Sequence, residues 1–441
     1  MAGDRSNPAG GRRIVRIVLS SIVVLSLLFV SIPLSIQGYL AEVHLKQGVT
    51  NLAAKRYTVA EKAFGLAAKR KPYSWRPHYH LGMARSAAGN FDEAVDAYRE
   101  TLRLNPNYAA ALTDLGVALV QRGSRDKSTA SFKEAKECLK SSLNLAPEHP
   151  KSLYFMAVCE SRLGEWEEAL GHFEAALTEG YESKANLYQN LAVVYSKLGN
   201  REEALEHFNE ALLESPEDPA VNYQAGVFLN QIGMYDDARK SLLNAARAIS
   251  TDKTNPDIGL LRSVLEGLIV VSLDGLNDPA TASVYLWQYT TYAGKSPQAV
   301  ALVDRFVAAV STEQFARNHP RGLPRINYYV ASALLNVGRA DDAIERIKKR
   351  LATVSDPTLS VATQVLLARC YLALNDTETT LSVLKKVEAS HPGDYELWRT
   401  YGETFLQAGR VEEAVAAFRK AVSLNPDDEK SKTYLKKLVS N

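Results

Sequence analysis

The chain writes one phrase more than once. LGEWEEALGHFEAAL at residues 163–177 returns thirty-five residues later as LGNREEALEHFNEAL at 198–212, and again as AGRVEEAVAAFRKAV at 408–422. A unit this short cannot bury its apolar face alone, so copies must stack on one another. Aligning each copy on its Ala-x-x-x-Phe and on the proline that follows gives blocks of about thirty-four residues at 41–74, 75–108, 150–184, 185–218 and 219–252.

Within a block the first half holds apolar or small residues at helical spacing, as at Tyr188, Leu191, Ala192 and Tyr195. Gly89-Asn90 and Gly199-Asn200 end such a half, where a left-handed residue is needed. The second half repeats the spacing through Ala204, Phe208 and Ala211, and Pro216 stops it. Each block is expected to be a helix-turn-helix hairpin, with the small residues admitting neighbouring helices and the aromatic filling the junction.

These residues resemble the tetratricopeptide repeat, whose pattern is Trp-x2-Leu-Gly-x2-Tyr, Ala-x3-Phe and Pro on a thirty-four-residue period. The block 395–428 carries it most fully, with Trp398, Tyr401, Gly402, Phe405, Ala414, Phe418, Ala421 and Pro426. A block at 109–149 has Leu115, Gly116 and Pro147 but holds about seven extra residues around 122–131, read as a longer loop or an extended helix. Blocks 324–357 and 361–394 have weaker second helices; across 253–323 helical spacing persists while the landmarks fall out of register. Residues 429–441 read as a polar capping helix.

The resemblance implies an all-α superhelical solenoid whose concave groove is lined by first-helix residues, including the fifth and ninth positions of each repeat. Here the fifth positions include Tyr79, Tyr154, Tyr223 and Tyr328, and the ninth include Met83, Val117, Val158, Val193 and Val227. Chaperone-binding relatives place lysine and asparagine where this chain has Leu45 and Val49, so a clamp for a chain-terminal carboxylate is not expected. A hydroxyl-tipped apolar stripe suits an amphipathic helix or an extended apolar segment of another protein.

The N-terminus departs from this pattern. Residues 17–36 contain no ionisable side chain and are long enough for one transmembrane helix. Arg5, Arg12, Arg13 and Arg16 precede it, and only Lys46 follows within the next fifteen residues. The positive-inside bias then makes residues 1–16 a cytoplasmic basic N-terminus and 17–36 a signal-anchor, giving a single-pass bacterial inner-membrane protein with a periplasmic C-terminal domain. The remaining divisions are an N-terminal repeat array at 41–252, a divergent helical segment at 253–323, a C-terminal array at 324–428 and the cap.

Several chemistries find no support. Net charge is +2 without long like-charge runs, which argues against nucleic acid as a partner. Cys138, Cys159 and Cys370 form neither a disulfide framework nor a zinc-spaced pair. No phosphate loop, His-Glu-x-x-His or Gly-x-Ser-x-Gly occurs, and His78 and His80 point to different helix faces. Acidic pairs such as Glu167-Glu168 and Glu202-Glu203 begin second helices, where the helix dipole favours them. Neither catalytic activity, nor a cofactor or metal, nor a small-molecule substrate is expected. The expected function is a membrane-anchored scaffold for protein–protein interaction or complex assembly on the periplasmic side. The alternative is a permanent accessory subunit of a membrane secretion, biogenesis or electron-transfer complex.

Overall fold

The computed structural model of the protein describes residues 35–252, 254–319, 322–350 and 357–439. All regular secondary structure among them is helical, and the chain divides into two compact units at Glu214/Ser215. The first unit runs from α1 (35–53) and α2 (Tyr57–Arg70) through three successive hairpins, α3 (Trp75–Ala87) with α4 (Phe91–Leu104), α5 (Ala109–Asp126) with α6 (Thr129–Leu145), and α7 (Pro150–Leu163) with α8 (Trp166–Thr178). A fourth pairs α9 (Lys184–Leu198) with α10 (Arg201–Glu214). Each second helix also packs on the first helix of the next hairpin, so the apolar core runs on from hairpin to hairpin within the unit.

Local chemistry sets the boundaries. Gly164 and Gly199 take φ of 83° and 87°, the left-handed geometry that closes α7 and α9 without a Cβ penalty. Pro150 opens α7 at a position whose N–H needs no helical partner, and the His149 ring accepts from the Ser152 N–H. The extra residues of block 109–149 lie mostly in helix: α5 and α6 reach 18 and 17 residues, and Lys127 takes the left-handed turn between them. Phe173, Phe208 and the small residues Ala169, Ala176, Ala204 and Ala211 are buried. Aromatic fill beside small residues is therefore realised in the core.

The second unit starts with α11 (Pro219–Gln231) and α12 (Tyr235–Thr251), where Asp218 caps α11 by accepting from the Ala220 and Val221 N–H groups. Then α13 (Ile258–Val270) passes through a π-helical turn at Val271–Gly275 into α14 (Pro279–Ala293). The next helices are α15 (Pro297–Val310), α16 (Glu313–Asn318), α17 (Leu323–Asn336) and α18 (Ala340–Arg350). They lead to the hairpins α19 (Pro357–Ala373) with α20 (Thr377–Ser390) and α21 (Tyr395–Gln407) with α22 (Val411–Leu424), and α23 (Glu429–Val439) packs on α22. In the segment without repeat landmarks, α14 packs chiefly on α17 rather than on its sequence neighbour α15.

The membrane placement is corrected. Among the described residues no helix is long and apolar enough to cross a membrane, and a single-pass membrane protein is not supported. The expected transmembrane segment 17–36 lies outside the described residues except for Ser35 and Ile36, which begin α1.

Candidate protein-binding face

The first helices of successive hairpins leave one class of residue half-exposed. Met83, Val117, Val158, Val193 and Val227 are each partly accessible. The residues on either side of them, Gly82 and Ala84, Gly116 and Ala118, Ala157 and Cys159, Ala192 and Val194, Gly226 and Phe228, are buried. An amphipathic first helix turns its small residues fully to the neighbouring helices and leaves this ninth position at the margin, where Met83 and Val158 still touch the core.

The tyrosines differ from one another. In the first unit the Tyr79 hydroxyl donates to Asp114 Oδ2 at 2.8 Å, and Asp114 Oδ1 accepts from Lys151 Nζ at 2.7 Å. This relay ties α3, α5 and α7 together, while the Tyr79 ring meets Tyr108 edge-on at 5.0 Å. Burial and then the Asp114 charge hold the Tyr79 phenol far above its ordinary range, so it serves as a donor. Tyr154 is a core residue at 7% exposure. Its ring stacks on Tyr181 at 4.1 Å and its hydroxyl accepts from Asn190 Nδ2 at 2.9 Å. Asp114, Lys151 and Asn190 were missed in the sequence. Their only signal is spacing, with Asp114 and Asn190 lying 35 and 36 residues beyond Tyr79 and Tyr154 and Lys151 lying 37 beyond Asp114, which acquires meaning once the helices are side by side.

In the second unit Tyr223 and Val227 line a cleft of about 300 Å³ between α11 and α13, together with Asn230, Ser263, Glu266 and Val270. The lining mixes apolar side chains with a single carboxylate. Tyr328, on α17, is half-buried against the edge of Tyr329 at 5.3 Å. Its phenol is pushed up to about 12 by burial, with Glu396 adding and Arg369 opposing.

The reactive side chains sit in unreactive surroundings. Burial raises the Cys138 thiol to about 11 and those of Cys159 and Cys370 to about 12, leaving them protonated at neutral pH. Among the described residues no group of three or more His, Cys, Asp or Glu side chains could hold a metal ion.

Comparison with known proteins bears on this arrangement. Three family models, each described as tetratricopeptide repeat, match residues 148–212, residues 79–138 with 190–253, and residues 371–438; together they span more than half of the chain. No curated protein matches the chain. Among solved structures, PilF of Pseudomonas aeruginosa is 19% identical, with a TM-score of 0.42 over 52% of this chain and 97% of that one. The MamA protein is 19% identical at a TM-score of 0.35, covering 41% of this chain and 94% of that one. Naa15/Naa10 bound to HypK-THB is 18% identical at 0.45, covering 91% and 62%.

Proposed function

The chain belongs to the tetratricopeptide-repeat family, and from that premise we propose that it is a protein-interaction scaffold that receives apolar or amphipathic segments of partner proteins on its first-helix faces. The observation that carries this reading is the run of half-exposed Met83, Val117, Val158 and Val193 in the first unit, continued in kind by Val227 in the second, each flanked on both sides by buried residues. Apolar side chains left partly accessible at one phase of these five first helices offer area to a partner, although Met83 and Val158 also pack against the core. Tyr79 stands one turn before Met83 on α3 and Tyr223 one turn before Val227 on α11, each a rigid ring beside an apolar position of its own unit.

Affinity purification of the tagged full chain, with retained proteins identified by mass spectrometry, tests the reading when run beside Val158→Ser/Val193→Ser and Tyr223→Ser/Val227→Ser variants. Capture should fall about tenfold or more for at least one pair, because central apolar anchors carry most of an interface's affinity, and should change little with salt. Helicity should stay unchanged. Unaltered capture by both variants, with folding intact, would remove the first-helix stripe as the binding face.

A further inference from the structure

The second unit carries a cationic, aromatic cluster that the Tyr/Val stripe does not account for. Arg325 and Tyr329 lie one turn apart on α17, and the Arg325 guanidinium stands 5.8 Å from the Tyr329 ring centroid. Across the packing of α14 on α17, Trp287 lies 5.7 Å from the same ring and is 38% exposed. Tyr328 meets Tyr329 edge-on, and their helix α17 packs on α19, which carries the half-buried Arg369. Several arginines of this unit are neutralised, Arg305 by Asp274, Arg339 by Asp304 and Asp342, Arg399 by Glu396 and Asp428, and Arg410 by Glu413, so what sets Arg325 apart is its place over the Tyr329 ring outside any such pair. Among the described residues neither Arg325 nor Arg369 has a carboxylate within 4.0 Å, and the nearby Glu396 is already engaged by Arg399 at 3.0 Å.

An arginine lying over a ring keeps its planar fork of donors available at the edge, and the ring limits the conformations it must give up on binding. Carboxylates match that fork, so the unneutralised Arg325 beside an accessible indole, with a second unneutralised arginine on the adjoining α19, complements an acidic stretch that also carries a ring. The chain as a whole has a net charge of only +2, which gives no extended field for a long polyanion. We propose that Arg325, Arg369, Trp287, Tyr328 and Tyr329 capture a short internal acidic segment of a partner protein, with an aromatic side chain flanked by carboxylates. The proposal rests on the interaction-scaffold reading and supplies the chemistry of one ligand. It does not involve a chain-terminal carboxylate.

Fluorescence anisotropy of the full chain tests this with a fluorescein-labelled peptide that carries one tryptophan between glutamate triplets and ends as an amide. Saturable binding is expected that weakens with salt and falls about tenfold in Arg325→Gln/Arg369→Gln, as the loss of charge-assisted hydrogen bonds requires. Arg419→Gln, on an exposed position of α22, should bind as the parent does. Equal affinity for the same peptide with glutamine in place of glutamate would overturn the proposal without reference to any variant. So would unchanged binding by a helical Arg325→Gln/Arg369→Gln chain, or complete displacement of the peptide by anionic vesicles or single-stranded DNA at lower concentration. Failure of the acidic peptide, with partner capture still dependent on Tyr223 and Val227, would overturn this site and leave the scaffold reading standing.

Discussion

Two histidines written into the same phrase end in opposite electrostatic surroundings. His172 of Gly-His-Phe places Nδ1 2.7 Å from Glu160 Oε2, a buried carboxylate that also has Lys136 Nζ 3.4 Å from its other oxygen. His207 of Glu-His-Phe lies between the rings of Tyr188 and Tyr195, at 5.9 and 5.3 Å, and its Nδ1 is buried without a hydrogen-bond partner. Glu160 and Tyr195 hold the same step of their hairpins, so one exchange of residue type reverses the preferred charge of the imidazole. The Glu160 hydrogen bond raises the His172 pKa against its burial, while burial lowers that of His207 against the surrounding glutamates. A raised value means stability that is present below the unfolded value of about 6.5 and lost as pH climbs through the folded one; a lowered value means stability present above about 6.5 and lost as pH falls towards the folded one. Chemical denaturation across pH should therefore show His172→Gln removing part of the decline as pH rises above about 6.5 and His207→Gln removing part of the decline as pH falls below about 6.5. The same slope change from both variants would contradict the assignment.

At the scale of the helix pair, the small-residue landmarks read in the sequence have an identifiable purpose, and magnitudes separate two kinds of glycine. A Cβ added to Gly82 in α3 would stand 2.6 Å from the Tyr98 ring of α4, whereas one added to Gly171 in α8 would meet nothing within 4 Å. Alanine gains about 1 kcal/mol over glycine in a helix, but forcing a methyl into a packed core costs about 1–3 kcal/mol. Gly171→Ala should thus stabilise by about 0.5–1 kcal/mol and Gly82→Ala should destabilise by about 1–2 kcal/mol, as measured by urea unfolding. A stabilised Gly82→Ala would show that the α3–α4 approach is looser than these distances imply. Such landmarks were legible because they recur at a fixed period and do a local job. The Tyr79–Asp114–Lys151 relay was not, because its members belong to three different hairpins and none looks unusual alone. Burial of Tyr154 escaped for a related reason: the covering Tyr181 belongs to the turn before α9, which the repeat pattern does not specify.

For the molecule as a whole, repetition made the hairpin architecture readable from a few letters, while connections outside the period were hidden. The packing of α14 on α17 past α15 could not be inferred from 253–323, since helical spacing identifies a helix without naming its neighbour. The same nearest-neighbour logic decides how far damage travels. Phe173 is fully buried, contacts Tyr154 at a centroid distance of 5.6 Å and shares a cluster with Leu187 and Leu191, so it joins α7, α8 and α9. Truncation to alanine should cost about 3–5 kcal/mol by lost transfer energy and the remaining cavity. In an array whose elements meet mainly their sequence neighbours, that loss is spent locally. Hydrogen exchange of Phe173→Ala should accelerate across α7, α8 and α9 and leave the amides of α21 and α22 at their original rates. Uniform acceleration over all helices would mean that the chain unfolds as one cooperative body, and that the repeat units do not partition its stability.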